Sequence, residues 1–145
     1  MIIQRTDLFK DLGRETMKEI TKIMIEEACE KGSQIYTQKH RAKYFYILLK
    51  GRVRLTMATD AEIDYTVTRS GEVFGWSSMV DRGSYTANAQ CLVPCKLIKI
   101  PKDKLNKIFD KHPRDGMIFF KRLAGAVVQR LVDSYQVFLS GGTLS

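Results

Sequence analysis

The sequence predicts a mainly β fold with helices at both ends, and three observations carry that expectation. Several short runs place apolar residues at every second position, as in residues 52–57, where Val53, Leu55 and Met57 alternate with Arg52, Arg54 and Thr56. Gly32, Gly51 and Gly71 fall between such runs, where the chain must turn. The apolar period is helical in residues 14–25 and again after Pro101. Many short strands with regular turns mean a sandwich, a barrel or a jelly roll. At 145 residues the chain fits one domain, 1–145, with a core that needs no disulfide or metal.

The elements follow in order. Residues 5–25 form an N-terminal helical part, in which Met17, Ile20, Ile23 and Met24 of the stretch RETMKEITKIMI (14–25) share one helical face. Residues 26–101 form the β part, with strands at 34–38, 43–49, 52–57, 64–68, 86–91 and 96–100, and with Gly71 closing a strand. Residues 102–139 are helical: a short helix at 102–111, an interruption at Pro113, and a long helix at 115–139. The tail 140–145, SGGTLS, reads as unstructured. On the long helix Met117, Phe120, Leu123, Ala124, Val127, Val128, Leu131, Val132, Tyr135, Phe138 and Leu139 spread over about half the circumference. One contact with a barrel needs a narrower stripe. The excess predicts a second surface, most simply the same helix of another copy; the alternative is that the β part covers the whole arc.

Composition removes several classes. The longest apolar run, residues 44–49, is far too short to cross a bilayer, and the charged opening MIIQRTDLFKD lacks the apolar core of a signal peptide. A soluble, cytoplasmic protein is expected. Cys29, Cys91 and Cys95 are too few and too unevenly spaced for a disulfide framework, although Cys91 and Cys95 could face each other across a hairpin. His40 and His112 read as exposed, and with no C-x-x-C pair a structural zinc site is not expected. Formal net charge is +8, which favours anionic partners in general. The seven basic residues of 96–114 alternate with core positions such as Ile98, Ile100 and Leu105, the pattern of a solvated face rather than of a nucleic-acid patch.

The stretch GEVFGWSSMVDRGSYTANAQ, residues 71–90, carries the candidate site. Gly75 opens a turn after Phe74, and Trp76, Ser77, Ser78 and Met79 can start a short helix there. The amides at such a start favour a negative charge, and glycine lets a ligand approach the main chain. Ser77, Ser78, Ser84 and Thr86 add hydroxyl donors, and Arg82 a nearby positive charge.

The order and spacing of DLFKDL, YILLKGRVRLT, SGEVFG, YTANA and LIKIPKDKL, followed by the long last helix, resemble the cyclic-nucleotide-binding domain of the catabolite-activator/Fnr type of regulator, from about residue 5 to 139. The resemblance implies a jelly-roll barrel, a double-stranded β-helix of about eight strands. It further implies a short loop helix that holds a cyclic phosphate and a last helix that is the dimer seam and caps the base. It also shows a departure. The family's Phe-Gly-Glu and Arg-Ser/Thr-Ala are here Phe74-Gly75-Trp76 and Tyr85-Thr86-Ala87. The glutamate that accepts the ribose hydroxyl and the arginine that pairs with the phosphate are both missing. The main chain at 75–78 and Thr86 can keep their roles, and Arg130 and Ser134 stand where a base would be capped. Trp76 could stack on a planar ligand or fill the nucleotide's space; Tyr85 could hydrogen-bond an anion or wedge the barrel mouth; Arg82 could swing in.

The expected function is a homodimeric, small-molecule-sensing regulatory module that binds cyclic AMP weakly at best. A ligand-free dimeric scaffold or regulatory subunit is the alternative, as is a fragment of a transcription regulator of that type. No cofactor is fixed by the residues; a cyclic nucleotide or another small anionic ligand is the implied occupant, and a protein partner is a further expectation. Only six residues follow the last helix, too few for a helix-turn-helix, so sequence-specific DNA binding by this chain is not expected. Neither is an enzyme, since no nucleophile–base–acid set, metal-ligand pair or nucleotide-hydrolysing loop is recognisable.

Overall fold

The computed structural model describes residues 7–57, 63–80 and 83–139. A single 3-10 turn, Asp7–Phe9, leads into α1 (Arg14–Ile23). Ile20 is fully buried, as the helical spacing requires. Gly13 caps this helix without a side chain, and the last helix supplies the missing acceptor: Asp115 Oδ1 takes the Gly13 N–H at 3.2 Å, and the Thr16 hydroxyl donates to Oδ2. A carboxylate at a helix N-terminus is favourable, so this one contact fixes α1 on the last helix.

Among the described residues eight strands follow: β1 (Ile25–Cys29), β2 (Gln34–Tyr36), β3 (Tyr44–Lys50), β4 (Val53–Met57), β5 (Ile63–Val67), β6 (Val73–Phe74), β7 (Asn88–Cys91) and β8 (Cys95–Pro101). They form two antiparallel four-stranded sheets, ordered β1-β8-β3-β6 and β2-β7-β4-β5. Facing sheets joined this way make the jelly-roll barrel. Strand β3 is buried on both faces, which explains its unbroken apolar run. Phe45 and Ile47 point to the helices, whereas Tyr46 and Leu48 point into the barrel.

Three sequence readings are corrected here. The expected helix over 14–25 stops at Ile23, and Ile25 opens β1, which residue pattern did not reveal. β1 lies at a sheet edge with Glu26 exposed, so its IEEAC carries too much charge to read as a strand. Gly71 does not close a strand: β5 ends at Val67, and Gly71 sits in the turn to β6 with φ of +90°. Thr86 and Ala87 likewise precede β7 rather than belonging to it.

After β8 come α2 (Lys102–Lys111) and α3 (Pro113–Leu139), with Pro113 as the first residue of α3, where a missing N–H costs nothing. Phe119 and Leu123 of α3 are buried against the barrel with Phe9, Phe45 and Phe109. The β part does not cover the rest of the arc. Met117 is 67% exposed and Leu131 51%, with Phe120, Val127, Val128, Val132 and Tyr135 also open; the side chains of Phe138 and Leu139 lie outside the described residues, as does the tail. His112 corrects another expectation. It is half-buried, its Nε2 2.6 Å from Glu19 Oε2, and Lys111 pairs with the same carboxylate, which holds Glu19 below the usual glutamate range through Lys111 first and His112 second. This cluster ties α1 to α2. His40 is exposed as expected.

The three cysteines are free thiols: Cys91 and Cys95 are buried at the β7–β8 hairpin, and Cys29 lies opposite Cys95 across β1 and β8. Among the described residues no helix is long and apolar enough to cross a membrane, and no group of three or more ligating side chains could hold a metal.

Candidate functional site

Gly75 turns the chain out of β6 in the left-handed region, φ +72°, and a Cβ there would lie 2.9 Å from the Tyr46 ring. Both the backbone and the space require glycine. The 3-10 helix Trp76–Met79 follows at once, closed by Ser78 N–H to Gly75 O at 3.3 Å and by the buried Ser78 hydroxyl to the same carbonyl at 2.9 Å. Ser77 Oγ stands 3.3 Å from Thr86 Oγ1, which joins this loop helix to the segment before β7. The structure thus brings Phe74, Gly75, Ser77, Ser78, Thr86 and Ala87 together, with Phe74 fully buried beneath them. Arg82 lies outside the described residues.

Tyr85 has its hydrogen-bonding capacity met within the protein. Its hydroxyl donates to Tyr44 O at 2.8 Å and accepts the Tyr44 N–H at 3.1 Å, and its ring stacks on Tyr36 at 3.7 Å. Burial raises the phenols of Tyr36, Tyr46, Tyr65 and Tyr85 above the ordinary tyrosine range, so these groups stay neutral hydrogen-bonding aromatics at physiological pH.

Trp76 and Arg130 form one unit. The guanidinium of Arg130 lies 4.1 Å over the Trp76 ring and 4.4 Å over that of Tyr65. It donates to Val73 O at 2.7 Å and to Glu72 Oε2 at 3.3 Å, while its Nε is buried without a partner among the described residues. Glu72 also accepts the Tyr65 hydroxyl at 2.6 Å and the amides of Thr68 and Arg69 at 3.1 and 3.2 Å. Arg130 therefore lines the cavity with its charge met internally. Ser134 is not in it. The Ser134 side chain is exposed and donates back to Arg130 O, the usual outlet for a serine within a helix.

A cavity of about 230 Å³ remains beside these residues, walled by Tyr36, Leu55, Met57, Tyr65, Trp76 and Tyr85, with Ser77 and Thr86 as its hydroxyls. Small-ligand sites usually span about 300–1,000 Å³, so the space is narrow. Leu55, Met57, Tyr36, Tyr65 and Glu72 were not singled out from sequence. Leu55 and Met57 alternate as any strand residue does, and the Glu72–Arg130 link spans 58 positions with no local signal.

The sequence profile of the family described as "Cyclic nucleotide-binding domain" matches residues 26–112, and the chain belongs to that family. A global nitrogen regulator of Synechocystis sp. is 26% identical over 126 residues, 84% of this chain and 54% of that protein. The chain spans about half the length of that curated relative. Among solved structures, a cyclic nucleotide-binding domain from Methylobacillus flagellatus superposes with a TM-score of 0.81 at 22% identity, covering 99% of this chain and 82% of that one. The N-terminal domain of a transcriptional regulator from Streptomyces coelicolor superposes with a TM-score of 0.71 at 22% identity, covering 100% and 98%. These two structures establish the jelly-roll fold.

Proposed function

We propose that this chain, read as one such domain, is a dimeric regulatory module that senses a small molecule and does not bind cyclic AMP tightly. The observation that carries the reading is Tyr85: it stands at the family's arginine position with its hydroxyl bonded to the Tyr44 main chain and its ring packed on Tyr36. A cyclic phosphate entering here meets no unpaired cation among the described residues of the cavity wall, because Arg130 is engaged by Glu72 and Val73. A lost buried charge pair costs about 2–5 kcal/mol. That loss weakens a micromolar site about 30- to 5,000-fold, and with the missing glutamate, a charged hydrogen bond of about 1.5–3 kcal/mol, the site falls to about millimolar or weaker.

What the pocket retains is the Gly75 turn, the Ser77 and Thr86 hydroxyls, and an aromatic wall. These suit a small ligand held by hydroxyls and ring faces, or a cyclic nucleotide or other anion held weakly. The uncovered apolar arc of α3 supports pairing with a second copy. The relative's name, a regulator, supports a binding module rather than an enzyme, and three free thiols support a reducing, cytoplasmic setting. A second reading, a barrel closed by its own side chains and serving as a scaffold, is favoured by the Tyr36–Tyr85 stack and the small cavity.

Titration calorimetry with cyclic AMP tests the reading. The unmodified chain should show no binding below about millimolar, and Trp76→Glu with Tyr85→Arg should gain it. Tight binding by the unmodified chain refutes the proposal. Absence of binding in both proteins selects the scaffold.

A further inference from the structure

A second cavity, about 890 Å³, lies on the far side of the Trp76–Arg130 wall, between α3, the β5–β6 turn and the segment around Lys10. We infer that this cleft is a separate binding site for a small, multiply charged anion of the polyphosphate or polycarboxylate class. Its size falls within the usual range of about 300–1,000 Å³ for small-ligand sites.

The first argument is position. With 3.6 residues per turn, Arg122, Ala126, Gln129 and Asp133 fall within about 60° of one another on α3. The exposed Met117, Phe120, Val127, Leu131 and Tyr135 centre on the opposite side. A second copy centred on those residues faces away from Arg122, Ala126, Gln129 and Asp133, whereas Lys121 and Gly125 of the cleft lie beside the exposed Val128 and Val132 at the edge of the arc. The cleft's room is kept by small residues of α3: a Cβ built at the exposed Gly125 meets no atom within 4 Å, and Ala126 is next to it.

Charge supplies the second argument. Lys10, Arg69, Lys121, Arg122 and Arg130 line the cleft from three separate segments; Arg130 is held by Glu72 and Val73 O, and Arg122 by the Lys10 carbonyl and by Asp11 Oδ2 at 2.9 Å, so Lys10, Arg69 and Lys121 supply the charge open to an anion, against Glu72 and Asp133. Both carboxylates are already satisfied. Glu72 accepts from Tyr65, Arg130 and two amides, and Asp133 accepts from Gln129 at 3.0 Å. Lys10 and Lys121 have side chains with no ion pair among the described residues, and Arg69 is 73% exposed with only a 3.9 Å approach to Glu72. Cations on a solvated face diverge; these three share one concavity. An anion there gains several charge-assisted contacts at once.

The test uses inorganic triphosphate and citrate as probes on the intact chain. Trp76 is its single tryptophan and its ring lies in the wall of the cleft, so its emission reports occupancy, with calorimetry for stoichiometry. Saturable binding of one anion per chain is expected, with a dissociation constant below about 1 mM in 50 mM salt and weaker at 500 mM. Lys10→Ala with Lys121→Ala should weaken it at least tenfold. Gly125→Phe, which fills the cleft where space is open, should abolish it at an unchanged far-ultraviolet spectrum; should that variant not fold, the lysine pair carries the test. Thr86→Val, in the barrel cavity, should leave it unaltered. No saturation by about 10 mM, equal affinity in the lysine variant, or loss in Thr86→Val, which would place the anion in the barrel, each overturns the assignment.

Discussion

Replacing Arg130 by alanine should destabilise the protein by about 3–4 kcal/mol. The side chains of Arg130 and Glu72 are 14% and 8% exposed, so the substitution leaves a buried carboxylate without its cation. Breaking a buried pair from one side costs about 3–5 kcal/mol. Glu72 keeps the Tyr65 hydroxyl and two amides, which brings this contribution to the lower end of that range or somewhat below it. Loss of the stacking on Trp76 and Tyr65 adds about 0.5–1 kcal/mol for each ring. For a chain of this size each kcal/mol lowers the melting temperature by about 2–4 °C, so a drop of about 6–15 °C is expected. Circular dichroism at fixed protein concentration measures it, since pairing makes the midpoint concentration-dependent. Removing both charges, in Arg130→Met with Glu72→Gln, should recover at least half of the loss, because no buried charge is then left unpaired. A drop under about 1 kcal/mol, or strictly additive single and double variants, would refute the account of this wall.

Leu131→Glu places a charge in the exposed apolar arc of α3 and should give a folded monomer by light scattering; a parent protein monomeric at high micromolar concentration removes the dimer. Gly51→Ala should cost about 3 kcal/mol or more in urea unfolding, since φ is +117° and the new Cβ would lie 2.5 Å from Cys95 Sγ; an unchanged midpoint contradicts that geometry. Burial, with Cys95 and Cys29 next, pushes the Cys91 thiol up to about 12, against about 8.5 in the unfolded chain. Its contribution to stability is fully present below about pH 8.5 and is lost as the pH rises toward 12. Cys91→Ala should therefore flatten the fall of the melting temperature between about pH 9 and 11, and an unaltered slope would count against the assignment.

Sequence alone determined much of the frame. Alternation in β4 and the double-sided apolar run of β3 are local patterns, and local patterns are readable because strand and helix periods are short. The turn glycines at 32, 51 and 71 all take positive φ. The charged strand β1 escaped because an edge strand with a wet face needs little apolar pattern. The end of α1 escaped because Met24 and Ile25 extend the helical spacing into it.

At the site, sequence identified the loop and its two missing charges, since Trp76 and Tyr85 differ from the family's residues in kind. It left both of their contacts open, and those come from tertiary structure. Tyr85 reaches a main chain 41 positions away, and Trp76 carries a guanidinium delivered by a helix 54 positions later. Whether a polar group faces a ligand or a protein partner depends on which atoms lie within about 3 Å in space. Contacts closed by the fold over such separations leave no periodic trace in the chain, which is why the Glu72–Arg130 pair and the cleft behind it belong to the tertiary structure alone.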